Sequence, residues 1–143
     1  MAMEALVLPG TLDALDPIAD YIKMAAQEAG LDSRATYRLR LAVDEIATNI
    51  ITHGYAEAGC EGNIEIAAIL DAKSLTIHLE DTGITYDPSR AIATEEETIL
   101  KPLADRPIGG LGVYLAIQGV NRFIYEREGN RNRNIFVVYR DPA

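Results

Sequence analysis

The stretch Leu41-Ala42-Val43-Asp44-Glu45-Ile46-Ala47-Thr48-Asn49-Ile50-Ile51-Thr52-His53-Gly54-Tyr55 decides how the rest of the chain is read. At about 100° per residue, Leu39, Val43, Ile46 and Ile50 fall within one arc of roughly 60°, the pattern of a helix laid on a core. Glu45 and Asn49 sit side by side on the adjoining face, with Arg38 and Thr52 close by, because residues at i and i+4 are neighbours on a helix surface. An acid and an amide so placed can share one ligand. Taken alone, the pair fits equally the solvated flank of an ordinary amphipathic helix. The same step reaches His53, and Gly54 is expected to end the helix.

Upstream, Glu4 to Leu8 reads as an edge strand stopped by Pro9-Gly10. Thr11 fits a helix N-cap followed by Leu12, Leu15, Ile18, Ile22 and Ala26 at helical spacing; alternatively the helix begins at Asp16, with Pro17 in its first turn. Gly30 stops it, and Asp32 or Ser33 caps the helix quoted above. Downstream, Tyr55 to Asn63 reads as a loop. Ile64, Ile66 and Ala68, then Leu75, Ile77 and Leu79, alternate with more polar residues about an Asp71-Ala72-Lys73 turn, which predicts a half-buried antiparallel hairpin. His78 falls on its outer alternation.

From Asp81 to Gly112 the pattern loosens, and a connection that long inside a compact domain is usually functional or disordered. Leu111, Leu115, Ala116 and Val120 then mark a short helix with a glycine-rich start. Phe123 to Glu128 and Ile135 to Tyr139, about a Gly129-Asn130 turn, give a second hairpin. The cluster Arg131, Arg133 and Arg140 reads as a solvated strand end. The order β-α-α-β-β-loop-α-β-β predicts an α+β fold: a two-layer α/β sandwich whose mixed, mostly antiparallel sheet is covered by helices on one face, in a single domain over residues 1–143.

The chain has 143 residues, 48% of them apolar and 24% charged, the balance of a soluble globular domain. A net charge of −9 repels phosphate backbones and anionic lipid, so direct nucleic-acid or membrane binding is disfavoured and a protein or metal-complexed ligand is the expected partner. The one cysteine, Cys60, allows no intramolecular disulfide. With neither a signal-peptide pattern nor a long apolar run, the expected compartment is the cytoplasm.

Two glycine motifs complete the reading. Asp81-Thr82-Gly83 closes a strand, where a carboxylate can accept from an exocyclic amine such as adenine's and the glycine admits a flat base, although such a sequence is often only a turn. Gly109-Gly110-Leu111-Gly112 opens a helix, whose free N–H groups suit a polyphosphate or simply a flexible junction.

In this order, Asp44-Glu45-Ile46-Ala47-Thr48-Asn49 through Tyr55, then Asp81-Thr82-Gly83-Ile84-Thr85-Tyr86-Asp87-Pro88, then Gly109-Gly110-Leu111-Gly112, the chain resembles the GHKL (Bergerat-fold) ATPases. Within them it is most similar to the anti-sigma-factor serine/threonine protein kinases that switch partners with anti-sigma-factor antagonists, over essentially its whole length. The resemblance implies ATP and Mg²⁺ as cofactors, with Asn49 on the metal and Glu45 as general base. It implies that Asp81 and Gly83 form the adenine pocket and that Gly110, Leu111 and Gly112 cradle the phosphates. A lid over residues 89–108 would bring Arg106, or Lys101, to the γ-phosphate. The implied phosphoacceptor is a serine or threonine of the antagonist, with a sigma factor or other regulator as second partner and a homodimer as the assembly. Thr85 departs from a frequent D-x-G-x-G pattern. His53 is read as a helix-end residue and not a phosphoacceptor. The alternative is a non-catalytic module in which nucleotide sets the shape of a docking surface.

Overall fold

The computed structural model describes residues 1–84 and 116–140. Among them are β1 (Leu6–Pro9), a 3-10 turn at Leu12–Ala14, α1 (Leu15–Ala29), α2 (Ser33–Asn49), a π-helical continuation at Ile50–Ala56, β2 (Asn63–Leu70), β3 (Ser74–Asp81), β4 (Arg122–Glu128) and β5 (Arg131–Tyr139). Residues 116–118 are also helical. The five strands form one sheet in the order β1-β2-β3-β5-β4, every pair antiparallel.

Local chemistry sets the helix ends. The chain makes its first turn after Thr11 as 3-10 and becomes α-helical at Leu15, which leaves Pro17 in the first α turn, where its missing N–H leaves no bond unmade. Gly30 closes α1 in the left-handed region, at φ 71°, with its N–H on the carbonyls of Ala26 and Gln27. Asp32 caps α2, its Oδ1 accepting from Ala35 N at 2.7 Å.

Both helices lie on one face of the sheet. Leu39, Val43, Ile46 and Ile50 are buried as the periodicity requires, with Ala42 and Ala47 beside them. They meet the inward alternation of the strands, which includes Ile66, Leu75, Ile77, Leu79 and Phe136. Phe136 packs edge to face on Phe123 with ring centroids 5.2 Å apart. Tyr21 of α1 accepts the Ala68 N–H of β2 at 3.0 Å, which fastens that helix to the sheet.

One local expectation changes and another is refined. Gly54 does not end the helix. The backbone passes through it to Ala56 in wider turns, and Glu57 N reaches back five residues to Thr52 O at 2.9 Å. The arginines are solvent-accessible, as expected, but they are also paired. β5 starts at Arg131, and on the face away from the helices Arg131 pairs with Glu65 and Glu80 while Arg133 pairs with Glu80 and Glu126. Arg140 donates to the carbonyls of Ala29 and Asp71, joining the end of α1 to the β2–β3 turn.

Phe136→Ala removes the largest fully buried side chain of the core. It is expected to lower the unfolding free energy by about 3–5 kcal/mol, read as a lower midpoint at unchanged slope in urea denaturation. A loss below about 1 kcal/mol would place Phe136 outside the load of the core.

Candidate functional site

Two of the three segments that carried the sequence reading, the helix α2 and the exit of β3 at Asp81–Gly83, meet at one end of the sheet. A narrow pocket is lined by Ile46 and Ile50 of α2 and its continuation, by Gly54, by Asp81 and Ile84 at the exit of β3, and by Asn132 and Asn134 of β5. Glu45 and Asn49 each directly precede one of its wall residues on α2, and both are half-buried. The helix stripe that makes the core thus also makes the pocket wall. Glu45 and Asn49 are not among the residues that line it.

Asp81 is the floor. Its side chain is 3% exposed, and the two oxygens have different surroundings. Oδ1 accepts from Gly83 N at 2.9 Å and from Asn132 Nδ2 at 3.0 Å. Oδ2 is buried and has no hydrogen-bond partner among the described residues. Burial pushes the carboxyl above the usual carboxylate range, outweighing the hydrogen bonds from Asn132 and Gly83 that favour the charge. An unpaired buried acceptor costs roughly 1–3 kcal/mol, so Oδ2 is a vacancy suited to a ligand N–H.

The strand exit that carries Asp81 is tied on two sides. Ile84 N donates to Gly54 O at 3.2 Å, and Thr82 N donates to Tyr55 OH at 2.8 Å, whose own hydroxyl donates to Asn63 O at 2.6 Å. From the sheet, Asn132 Nδ2 donates to Gly83 O at 3.1 Å as well as to Asp81. Gly83 is required for close approach: a Cβ there would lie 2.7 Å from Gly54 O. The absence of a side chain at Gly83 thus lets the backbone at Gly54 come close to the strand exit.

Arg106, Lys101, Gly110, Leu111, Gly112 and the expected lid over residues 89–108 lie outside the described residues. His53 is exposed on the π segment, with Nδ1 2.7 Å from Glu57 Oε2. His78 lies on the opposite face of the sheet, between Ala67 and Ile135 in register, and burial lowers its basicity. Asn132 and Asn134, each 2% exposed, were missed from sequence. The only signal was a polar alternation, Asn132 then Asn134, and it gains meaning only once the register sets Asn132 opposite Asp81 and Asn134 opposite Leu79.

An antiparallel sheet with helices on one face, and a pocket between the second helix and the sheet, is the architecture of the GHKL-type ATPase fold. The chain belongs to the histidine kinase-like ATPase domain family, whose pattern matches residues 8–137. It is similar to the serine/threonine-protein kinase BtrW of Bordetella bronchiseptica, with 26% identity over 110 residues that cover 77% of this chain and 75% of that protein. Its fold is similar to that of the histidine kinase domain from the Erythrobacter litoralis EL346 blue-light activated histidine kinase, with a TM-score of 0.54 at 16% identity. That match covers 87% of this chain and 58% of the other. The general role of the chain is that of an ATP-using, kinase-like domain. Among the described residues, no helix is long and apolar enough to cross a membrane.

The two states of Asp81 give a test of the site. A carboxyl raised by burial contributes its full stability below its unfolded-state pKa, and that contribution is lost as pH rises through the folded value. Asp81→Asn keeps an acceptor for Gly83 and Asn132 but cannot ionise. Without ligand, its stability relative to the parent is expected to rise with pH from about 4 upward and then level off, followed by chemical denaturation across the range. A difference that stays flat with pH would overturn the burial argument. Gly83→Ala is expected to cost about 1–3 kcal/mol, because the new methyl meets backbone that cannot swing aside.

Proposed function

We propose that this chain is a Mg²⁺- and ATP-dependent serine/threonine protein kinase that phosphorylates an anti-sigma-factor antagonist and sequesters a sigma factor or another regulator in a partner-switching pathway. The observation that carries the reading is the bare Oδ2 of Asp81, at the bottom of an apolar slot beside the helix that bears Glu45 and Asn49. The chemistry of this slot suits a 6-aminopurine: its exocyclic N–H would satisfy the carboxylate, and Ile46, Ile50 and Ile84 would offer apolar surface to its ring, although the cavity of about 10 Å³ has to widen to admit the base. The similarity to BtrW supports the serine/threonine class.

In this reading Asp81 and Gly83 hold the base, and Gly110, Leu111 and Gly112 hold the phosphates. Asn49 would offer its amide oxygen to Mg²⁺, a hard cation that prefers oxygen ligands and needs few of them from the protein. When bound, the ion neutralises charge on the phosphates. Glu45, one helical turn before Asn49, accepts the proton of the partner's hydroxyl as that oxygen bonds to the γ-phosphorus and the bridging oxygen departs with ADP. Arg106 supplies positive charge at the γ-phosphate. A single domain over residues 1–143, a cytoplasmic location and a homodimer belong to the same proposal. Docking of a folded partner would orient its hydroxyl, so no separate peptide-binding lobe is required.

The test uses labelled ATP, Mg²⁺ and an antagonist-type protein recovered with this chain from its native cell. Phosphoserine or phosphothreonine on the partner is expected. Glu45→Gln should reduce transfer by about 10²–10⁴-fold while leaving ATP affinity within a few-fold. Asn49→Ala should lose the Mg²⁺-dependent part of ATP affinity in calorimetry, with circular dichroism unchanged. Bound ATP without phosphate transfer would replace the kinase reading with that of a nucleotide-dependent docking module.

A further inference from the structure

The carboxylate that reads the base is itself held by a residue that no motif marks. Asn132 lies opposite Asp81 across the β3–β5 pair and is buried. Its orientation is fixed by chemistry and not by shape alone. Oδ1 accepts from Tyr125 OH at 2.5 Å and from Arg127 Nη1 at 2.8 Å, and a guanidinium can only donate. The amide nitrogen therefore has to face the other way. There it donates to Asp81 Oδ1 and to the carbonyl of Gly83.

With Gly83 N on the same oxygen, Oδ1 of Asp81 is saturated and Oδ2 is left bare toward the pocket. Without the Asn132 donor, the carboxylate could turn, exchange its oxygens or share one ligand proton between both. Its acceptor would then have no single direction. Asn132 makes that direction unique, and Tyr125 and Arg127 on β4 keep Asn132 from inverting.

We propose that Asn132 is the positioning residue that makes the pocket selective for a purine carrying a 6-amino group, with Arg127 and Tyr125 fixing the amide behind it. This rests on the nucleotide-binding reading of the site. Asn132 does not touch the ligand in this account; it acts through Asp81.

The experiment compares binding of ATP and of purine riboside triphosphate, which lacks only the 6-amino group, by calorimetry with Mg²⁺ at one pH. The unmodified chain is expected to prefer ATP by about tenfold or more, the value of one hydrogen bond to a charged acceptor. Asn132→Asp keeps the size of the side chain and its acceptor toward Tyr125 and Arg127, but it puts an oxygen against Asp81 and Gly83 O. The ratio of the two dissociation constants should fall toward one. Arg127→Met, at an exposed position of β4, leaves the core untouched and should reduce the ratio by about two- to fivefold. A merely structural role would weaken both nucleotides together and keep the ratio. An unchanged ratio in both variants, with ATP still bound, therefore overturns the role of Asn132. No preference in the unmodified chain would instead overturn the reading of Asp81 as the base contact.

Discussion

The seating of one helical stripe on one face of an antiparallel sheet is the constraint on which the rest of this structure depends. Leu39, Val43, Ile46 and Ile50 recur with the helix period and are all buried against inward strand residues. Once this stripe is down, the angular position of every other α2 side chain is settled. Glu45 and Asn49 cannot change their place on the helix surface without lifting Ile46 and Ile50 out of the core. Burial of those two isoleucines stabilises the fold by roughly 1.5–3 kcal/mol each, far more than any contact the polar pair makes as a surface flank. The apolar effect thus places the chemistry, and the polar residues inherit a geometry they do not have to maintain.

The pocket floor runs against this economy. A core that otherwise buries apolar side chains also buries Asp81, Asn132 and Asn134. Asn132 is satisfied on both ends of its amide, whereas Asp81 Oδ2 and Asn134 Oδ1 are not bonded. Two unsatisfied buried acceptors within one pocket cost stability that the ungated hydrophobic face of the sheet has to offset. Such a deficit has a direction: it is relieved by a ligand that donates and not by one that only fills space. Folding and ligand binding are linked through the same oxygen atoms, so a ligand that donates to them stabilises the domain by mass action.

The sheet and both long helices were legible in the sequence because their signals are local. Period-2 alternation at Ile64–Ala68 and Leu75–Leu79, period-3.6 burial in α2, and caps at Gly30 and Asp32 each follow from a few neighbouring residues. Glu45, Asn49 and Asp81 could be picked out as residue types at informative spacings. What stayed hidden depends on register between distant strands. Arg131 and Arg133 look like a basic strand end until they are placed beside Glu65, Glu80 and Glu126. Asn132 looks like a polar interruption of a strand until it faces Asp81. The close approach of Gly83 to the Gly54 carbonyl was equally hidden, because sequence could show that a side chain was absent but not which backbone atom lies against it.

The failure of Gly54 to stop the helix has a further consequence for the site. An α-helix that ended there would release the chain before Tyr55 could return to the sheet. The wider π turns instead bury Ile50, Ile51, Gly54 and Tyr55 in succession, so the helix keeps its apolar contact while its backbone approaches the exit of β3. Two groups four and five residues beyond Ile50 then hold the turn after Asp81: the Gly54 carbonyl takes Ile84 N, and the Tyr55 hydroxyl takes Thr82 N. The Tyr55 ring occupies space that Cβ atoms at Gly10 and Gly62 would invade, so three glycines, at 10, 62 and 83, serve this one junction. The helix that bears Glu45 and Asn49 and the strand that bears Asp81 are therefore joined by one backbone hydrogen bond and one bond to the Tyr55 hydroxyl, as well as by the core. That join holds the exit of β3, and with it Asp81, against the helix that carries Glu45 and Asn49.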